Sequence, residues 1–378
     1  MKIETLWKRA AWTALTAWMG VSLAQGGLGL LLWALFRPLR PLSSLYWWGV
    51  EPVDDGLRGA LLGVWLRWDA VHYLRIAQAG YSDDQLSNFF PLYPLLGRLI
   101  GGDDALLGLV LVSRLALLIA FVLLYCLAAQ LLDESVAQRA VWVCAFFPTS
   151  VYLFAPYPMG LALALTLAAV WLAWRGRWLG AGVCGLLAGL THGRVGPLTL
   201  ALLALWVGQV QQARRTWLAL PAALMPALGT LTFFAWRTAQ GFPDLNTVRL
   251  TYWGRVVQPP WDYYQEFVRF FTLNRFDSDG WINLGVLLLA ILLMVWGLRR
   301  LPLALTLYQV GMFLLIMVTV VPLIPFEGVG RYVLMMFPLY LLLGVWANSP
   351  FRRLLLTALT VFLSLGLAGI YFFWGWVA

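Results

Sequence analysis

Eleven long apolar runs constrain the fold of this chain more than any other feature. They lie near residues 10–36, 105–131, 140–155, 159–174, 179–192, 196–210, 217–236, 281–298, 302–321, 332–347 and 354–374. A helix rises about 1.5 Å per residue, so roughly 20 apolar residues cross the hydrocarbon core of a bilayer. Only 11% of the residues are charged, whereas a soluble domain has roughly 25%. The sequence therefore predicts an all-α polytopic membrane protein with about 11 transmembrane helices, in a range of roughly 10–13.

Two polar segments, residues 37–104 and 237–280, are too long to be simple turns. Short basic connections separate other runs, and they contain Arg175 and Arg177, Arg214 and Arg215, Arg299 and Arg300, and Arg352 and Arg353. Because short arginine-rich loops stay in the cytoplasm, we expect a cytoplasmic N-terminus and place both polar segments outside. The run 10–36 is too long for a cleaved signal peptide and is expected to remain as the first span. We expect a single transmembrane domain over residues 1–378 in the plasma membrane of a bacterium.

The net charge of +9 first indicates a nucleic-acid partner. However, the predicted inner segments hold 12 basic and 3 acidic residues, which accounts for the whole excess. The charge is therefore better interpreted as an orientation signal that faces the anionic lipid of the inner leaflet. We expect membrane lipids as partners and no nucleic acid.

Signatures of soluble catalysis and of metal sites are missing from the sequence. There is no Walker loop, no His-Glu-x-x-His and no Gly-x-Ser-x-Gly. Cys126, Cys144 and Cys184 fall inside apolar runs and are interpreted as core residues. Asp277-Ser278-Asp279 is typical of a turn rather than a metal site, because no α/β sheet surrounds it. We expect neither a cofactor nor a required metal.

The first polar segment contains a candidate catalytic carboxylate. Residues 57–80 are predicted to form one amphipathic helix. Helical spacing places four side chains on one face, with Trp68 beside them: Trp65, Asp69, His72 and Tyr73. A carboxylate between tryptophans at a membrane surface is partly desolvated, which raises its proton affinity and suits it to general-base catalysis. The alternative is an interfacial helix with tryptophan anchors and an Asp–Arg pair.

Two arginines lie at the ends of apolar runs beside glycine. His192-Gly193-Arg194 separates two spans, and Glu327-Gly328-Val329-Gly330-Arg331-Tyr332 opens another. A guanidinium group there is suited to hold a phosphate. For Arg194 the alternative is a loop arginine that reaches out to water, and for Arg331 it is a pair with Glu327.

The chain resembles the PIG-V family, which comprises enzymes like GPI mannosyltransferase 2 and their bacterial relatives. The motifs that carry the resemblance are Arg67-Trp68-Asp69-Ala70, Ile76-Ala77-x-x-Gly80-Tyr81, Phe89-Phe90-Pro91-Leu92-Tyr93-Pro94, Phe147-Pro148-Thr149-Ser150-Val151-Tyr152, Gly193-Arg194, Gly330-Arg331-Tyr332 and Phe337-Pro338. They are spread over most of the chain in the expected order.

The resemblance implies a GT-C membrane glycosyltransferase whose donor is a polyprenyl-phosphate sugar, which is dolichyl-phosphate mannose in eukaryotes. It also implies that Asp69, in the first outer segment, is the catalytic residue. We therefore expect inverting transfer of a mannose-like sugar to an acceptor hydroxyl at the outer face of the membrane. In this scheme Arg194, Arg331 and His192 bind the donor phosphate. The expected sugar or acceptor contacts are Trp65, Trp68, His72 and Tyr73.

One departure from the family pattern concerns the residues after Ala155-Pro156-Tyr157, where the family continues with Ser-Glu. This chain has Pro158 and Met159. The loss of a carboxylate raises a second hypothesis, a non-catalytic family member. A third is a flippase or transporter of lipid-linked sugars, which would need charged residues along its spans. The acids instead collect in the two polar segments, and this favours surface chemistry. The sugar and the acceptor stay open.

Overall fold

A computed structural model describes residues 3–36, 47–211, 219–273, 278–322 and 324–377. These residues form 18 α-helices and one short antiparallel pair of strands, β1 (Val256–Val257) and β2 (Thr319–Val320). The helices are α1 (Ile3–Leu35), α2 (Gly56–Leu61), α3 (Asp69–Ala79), α4 (Leu92–Gly101), α5 (Ala105–Leu131), α6 (Glu134–Ala145), α7 (Val151–Phe154), α8 (Met159–Trp174), α9 (Trp178–Gly189), α10 (Leu198–Gln211), α11 (Leu220–Ala239), α12 (Leu245–Trp253), α13 (Tyr264–Thr272), α14 (Ser278–Gly297), α15 (Leu303–Met317), α16 (Val329–Val333), α17 (Pro338–Trp346) and α18 (Pro350–Phe372). The predicted all-α class is confirmed.

Five helical segments are long and apolar enough to cross a membrane. They are Glu4–Leu35, Ala105–Leu131, Gly193–Gln211, Gly280–Gly297 and Pro350–Phe372. Each has at least 18 residues, which is about 27 Å of helix. Three shorter apolar helices, α8, α9 and α15, have 12 to 16 residues. The protein is therefore an all-α membrane protein.

Two of the predicted spans are broken. The run 140–155 divides into α6 and α7, and Pro148 lies in the break. The run 332–347 divides at Pro338, which is the first residue of α17. Proline lacks the N–H that an α-helix needs, and it pushes the preceding residue out of the helical region. The other nine runs each overlap one α-helix, and the run 302–321 ends in β2 after α15. Arg214, Arg215, Asp277 and residues 37–46 lie outside the described residues.

The prediction of one helix over residues 57–80 is wrong. The chain forms α2, then a 3₁₀ turn at Gly63–Trp65, and then α3 from Asp69 onward. Trp68 has a φ of 55°, which no α-helix contains. Gly63 lies so close to Val53 that a Cβ atom would meet its carbonyl oxygen at 1.6 Å. This close approach and the positive φ explain why the helix stops before Asp69.

The chain divides into two compact units. Unit 1 contains Met1–Gly80, Leu92–Ala164 and Tyr340–Val377, and unit 2 contains Tyr81–Pro91 and Leu165–Leu339. In unit 1 a buried amide ties three helical segments together, because Gln25 Nε2 donates to Ser150 Oγ at 3.0 Å and to Ser364 Oγ at 2.9 Å. The prediction of a single domain stays a prediction.

Helices α9 and α11 of unit 2 pack closely through glycines. A Cβ atom on Gly185 would lie 2.8 Å from Pro226 Cγ, and one on Gly189 would lie 2.3 Å from the Pro226 carbonyl oxygen. Glycine is required where two helix backbones approach this closely. The sequence spacing of these glycines therefore has a packing role.

We expect Gly189→Ala to lower the midpoint of thermal unfolding in detergent. The added methyl group collides with backbone that cannot move independently, and such overpacking costs about 1–3 kcal/mol. The control is Gly208→Ala on α10, where a Cβ atom meets nothing within 4 Å. This control should keep or raise the midpoint, since alanine favours helices. Equal midpoints for the two variants would contradict the packing role.

Candidate active site

Asp69 is the first residue of α3 in unit 1. Its side chain is half-buried, as is that of Trp68 before it, whereas His72 and Tyr73 on the same helix are buried. The carboxylate therefore lies where a buried stretch of chain reaches an accessible surface. Backbone N–H groups in the first turn of a helix attract negative charge, so this position suits a carboxylate.

A buried arginine fixes the turn that leads into Asp69. The side chain of Arg67 is 3% exposed. Its Nε donates to the carbonyl of Phe372 at 3.0 Å, and its Nη1 donates to the carbonyls of Gly63 at 2.8 Å and Leu66 at 3.0 Å. Burial lowers the pKa of Arg67 to about 10, so the group is charged at neutral pH. Carbonyl oxygens of the turn and of the end of α18 thus hold one buried cation and define the position of Asp69.

Two buried tyrosines complete this support. The Tyr157 hydroxyl donates to the carbonyl of Arg67 at 3.0 Å, and the Tyr371 hydroxyl donates to the carbonyl of Trp65 at 2.8 Å. Each carbonyl also accepts a backbone N–H, from Ala70 at 3.1 Å for Arg67 and from Arg67 at 3.0 Å for Trp65, so each tyrosine adds a second hydrogen bond. The turn is therefore fixed by side chains from distant parts of unit 1.

Three tryptophans of unit 1 have positive φ angles: Trp48 at 44°, Trp68 at 55° and Trp374 at 62°. A bulky residue rarely adopts such a conformation, which costs about 1–3 kcal/mol. Trp68 and Trp374 are in edge-to-face contact at 5.9 Å, and Trp48 lies 4.3 Å from the His72 ring. Backbone strain of this kind clusters at functional sites, and this supports a function for the surface beside Asp69.

The structure buries three of the four rings expected to contact sugar or acceptor. Trp65 is 2% exposed, and its ring packs against Phe372 at 4.9 Å and Phe154 at 5.3 Å. His72 and Tyr73 are buried as well. This burial argues against direct sugar contacts by these three residues. Of the four, Trp68 alone is half-exposed beside Asp69.

In unit 2, Arg194 lies in the 3₁₀ turn Gly193–Val195. Its Nη1 donates to the Leu315 carbonyl at 2.7 Å, and its Nη2 donates to Thr319 Oγ1 at 2.8 Å. The guanidinium carbon lies 3.6 Å from the centre of the Tyr332 ring. Each terminal nitrogen carries two hydrogens, so these bonds use one of them on each nitrogen. The guanidinium group is thus anchored on the protein with its charge against Tyr332.

Tyr332 is the centre around which the arginines of unit 2 gather. Arg331 Nη2 donates to the Tyr332 hydroxyl at 3.1 Å, and the Arg255 guanidinium carbon lies 5.8 Å from its ring centre. Glu327 pairs with Arg255 at 2.9 Å. Burial raises the pKa of Tyr332, but the positive charges of Arg255, Arg331 and Arg194 outweigh it and bring the pKa down to about 7.

A fourth arginine belongs to the same region. Arg249 on α12 donates from Nε to Asn88 Oδ1 at 3.1 Å, and its charge acts on His192 together with those of Arg194 and Arg331. We call Arg194, Arg249, Arg255 and Arg331 the arginine cluster. The sequence does not single out Arg249 and Arg255, because only the fold brings the segment 237–280 beside Arg194 and Arg331.

His192, a predicted phosphate-binding residue, directly precedes the 3₁₀ turn that contains Arg194. Its Nδ1 accepts the backbone N–H of Arg194 at 3.2 Å, and an accepting ring nitrogen carries no proton. Burial and the charges of Arg194, Arg331 and Arg249 hold the pKa of His192 well below its usual value. The neutral ring has its proton on Nε2 and can offer a hydrogen bond to a phosphate, but no charge.

No group of three or more His, Cys, Asp or Glu side chains that could hold a metal ion occurs in the part of the chain that the structure describes. Cys126 and Cys144 are buried, in agreement with their predicted core role, and Cys184 is half-buried. That the chemistry needs no metal stays a prediction.

Comparison with known proteins supports the family resemblance. Residues 50–196 match the family Mannosyltransferase (PIG-V). The matched range contains Asp69, His192 and Arg194, and the resemblance inferred from the motifs is confirmed.

Curated relatives agree with this family. GPI alpha-1,6-mannosyltransferase 2 of Cricetulus griseus is 33% identical over 168 residues, which cover 40% of this chain and 32% of the relative. The protein of the same name from Rattus norvegicus is 33% identical over 147 residues, which cover 35% of this chain and 30% of the relative. The chain thus spans about a third of the length of these relatives. No solved structure matches it.

The departure from the PIG-V pattern is visible in the structure. Met159 is the first residue of α8 and is 2% exposed, and Pro158 before it is also buried. The hydroxyl of Tyr157 is used to hold the Arg67 carbonyl. Apolar packing therefore occupies the positions where the family has a serine and a carboxylate.

We expect Arg67→Lys to lower both the thermal unfolding midpoint and any activity that depends on Asp69. The ammonium group keeps the charge but cannot reach carbonyls of the turn and of the end of α18 together, and an unpaired buried carbonyl costs about 1–3 kcal/mol. The control is Arg98→Lys, an exposed position on α4. Wild-type stability of Arg67→Lys, measured beside this control, would show that the turn is held by other contacts.

Proposed function

We propose that this protein is a glycosyltransferase that moves a mannose-like sugar from a polyprenyl-phosphate donor to an acceptor hydroxyl. The observation that carries the proposal is the match of residues 50–196 to the PIG-V mannosyltransferases, a range that includes Asp69. The basic short connections support an orientation with Asp69 on the outer face, in the plasma membrane of a bacterium.

Asp69 is the proposed general base. Its carboxylate accepts the proton of the acceptor hydroxyl while the hydroxyl oxygen bonds to the anomeric carbon of the sugar. The bond from that carbon to the phosphate oxygen breaks, and the polyprenyl phosphate leaves with the bonding electron pair. A single displacement of this kind inverts the anomeric configuration. Trp68, half-exposed beside Asp69, offers a ring face on which a sugar can stack.

The arginine cluster is the proposed site for the donor phosphate. The phosphodiester carries one negative charge, and the departing phosphate monoester gains a second. Positive groups held in place are therefore attracted more strongly to the transition state than to the bound donor, and this accelerates transfer. Around Tyr332 three guanidinium groups act against the Glu327 carboxylate, so a net positive potential supports this role. Arg331 is 5% exposed, and in such a site its charge is poorly screened by water.

A non-catalytic role is the second candidate. The observation that favours it is the buried pair Pro158 and Met159, where the family has a serine and a carboxylate. Such a protein would keep the arginine cluster and bind a lipid-linked sugar without transferring it. Donor binding without product formation distinguishes this role from catalysis.

The test of the proposal is transfer from polyprenyl-phosphate mannose to a panel of glycan, lipid and peptide acceptors, followed by mass spectrometry. We expect the purified wild-type protein to form product. Asp69→Asn should lose about 10²–10⁴-fold in turnover, the usual contribution of a general base. Its unfolding midpoint should stay at the wild-type value, because the amide has the same shape.

The matched control is Asp55→Asn, an exposed aspartate whose side chain makes no capping hydrogen bond at α2. This variant should retain full turnover. If Asp69→Asn transferred mannose as fast as Asp55→Asn, Asp69 would not be the base. If the wild-type protein bound the donor but formed no product with any acceptor, the non-catalytic role would stand.

A further inference from the structure

Unit 1 contains a cavity of about 340 Å³ between α6 and α18. Its walls are mainly apolar, and they include Trp142, Phe146, Leu356 and Val361. A pocket of roughly 300–1,000 Å³ is typical of sites for small ligands. The residues of the proposed transfer chemistry do not line this cavity, and the function described above does not explain it.

Two arginines, Arg139 and Arg353, line the same cavity, and none of its 12 lining residues is acidic. Arg139 donates from Nε to the Gly344 carbonyl at 2.7 Å and from Nη1 to Ser135 Oγ at 2.6 Å, which fixes its guanidinium group. Burial lowers the pKa of Arg139, the charge of Asp133 raises it, and the positive charge of Arg353 lowers it. Two guanidinium groups thus repel each other at one cavity, and an anion bound there would relieve the repulsion.

Two acids precede the cavity-lining residues of α6. Asp133 caps α6 by accepting the backbone N–H of Val136 at 2.8 Å, and its charge also acts on Arg139. Glu134 forms an ion pair with Arg9. Two guanidinium groups thus act against the one carboxylate of Asp133, which leaves a net positive charge at the cavity.

The first turn of α18 strengthens the preference for an anion. Ser349 caps this helix, and Arg353 is the fourth residue of α18. The N-terminal turn of a helix carries partial positive charge, which disfavours a cation and favours an anion. Arg353 in this first turn of α18 therefore raises the free energy of the folded state unless a negative group lies nearby.

The place of the cavity in the membrane indicates the kind of anion. Residues 350–372 are a candidate span, so Arg353 lies at a membrane boundary. From Arg353 to Val361 the helix rises about 12 Å, so the apolar wall runs from this boundary into the hydrocarbon region. In the orientation predicted from the basic connections, this boundary faces the inner leaflet. Basic pockets between helices at that level bind anionic lipid headgroups.

We propose that the cavity between α6 and α18 binds one anionic phospholipid of the inner leaflet, with its phosphate between Arg139 and Arg353. The first part of an acyl chain lies along the apolar wall formed by Trp142, Phe146 and Val361. The bound lipid ties the start of α18 to α6 and stabilises unit 1. This site is independent of the proposed transferase function, because the two share no residue.

The test uses the full chain in a neutral detergent and follows thermal unfolding with added phosphatidylglycerol, phosphatidylcholine or inorganic phosphate. We expect phosphatidylglycerol to raise the unfolding midpoint by a few degrees at saturation, because a ligand that binds only the folded state stabilises it. Phosphatidylcholine and phosphate should have little effect. Native mass spectrometry should show one phosphatidylglycerol retained per chain.

The decisive comparison is Arg353→Gln with Arg352→Gln. The two arginines are adjacent and exposed, and both lie in the first turn of α18, but Arg352 does not line the cavity. Arg353→Gln should lose most of the shift with phosphatidylglycerol, and Arg352→Gln should keep it. Equal loss in the two variants would overturn the site and indicate general attraction to the basic surface.

A third variant tests the apolar wall. Thr357→Trp fills the cavity from an exposed position on α18 and leaves every charge in place. We expect it to lose the retained lipid. Full retention in this variant, or an equal shift with inorganic phosphate in the wild-type protein, would contradict a lipid site. The transfer assay with Asp69→Asn is a separate measurement, so a failure of either proposal is recognised on its own.

Discussion

Positive charge inside an apolar protein must be matched by carbonyl oxygens, carboxylates or a bound anion. The turn before Asp69 and the arginine cluster both depend on this constraint. A buried ion without such partners costs several kcal/mol, so each buried arginine either has its acceptors within the chain or requires them from a ligand. Arg67 is of the first kind, because three carbonyl groups and the Trp374 ring surround it. The arginine cluster differs, because three of its charges, those of Arg255, Arg331 and Arg194, act on Tyr332 against the single carboxylate of Glu327.

This difference separates an arginine that positions the backbone from the arginines that are proposed to act on the substrate. Arg67 belongs to a family motif and is adjacent to Trp68 and Asp69, yet its bonds assign it to positioning the turn. Arg255, Arg331 and Arg194 lower the pKa of Tyr332 to about 7, and burial together with the charges of Arg194, Arg331 and Arg249 lowers the pKa of His192, so a positive potential acts in this region. Trp68 beside Asp69 and Phe326 beside Glu327 both have a positive φ angle. Such backbone strain lowers stability and is common at functional sites.

The sequence predicts the membrane class and most helices, because apolar runs about as long as a bilayer is thick have few other folds. The sequence-based prediction is wrong where tertiary contacts override the local hydrophobic pattern. The break before Asp69 depends on the approach of Val53 to Gly63 and on a positive φ at Trp68, and neither has a local signal. The Asp69 and Arg194 motifs are recognisable from the family resemblance. Arg249 and Arg255 are not, because their role arises only when α12 and β1 fold against the rest of unit 2.

In the proposed function the arginine cluster binds the phosphate of a lipid-linked donor. A cryo-EM structure of the full chain with a polyprenyl-phosphate sugar analogue whose sugar cannot be transferred tests this contact. We expect density for the phosphate within about 3 Å of guanidinium nitrogens of at least two of Arg194, Arg255 and Arg331. A phosphate bound elsewhere, with Tyr332 and its arginines unchanged from the ligand-free protein, would show that the cluster does not bind the donor.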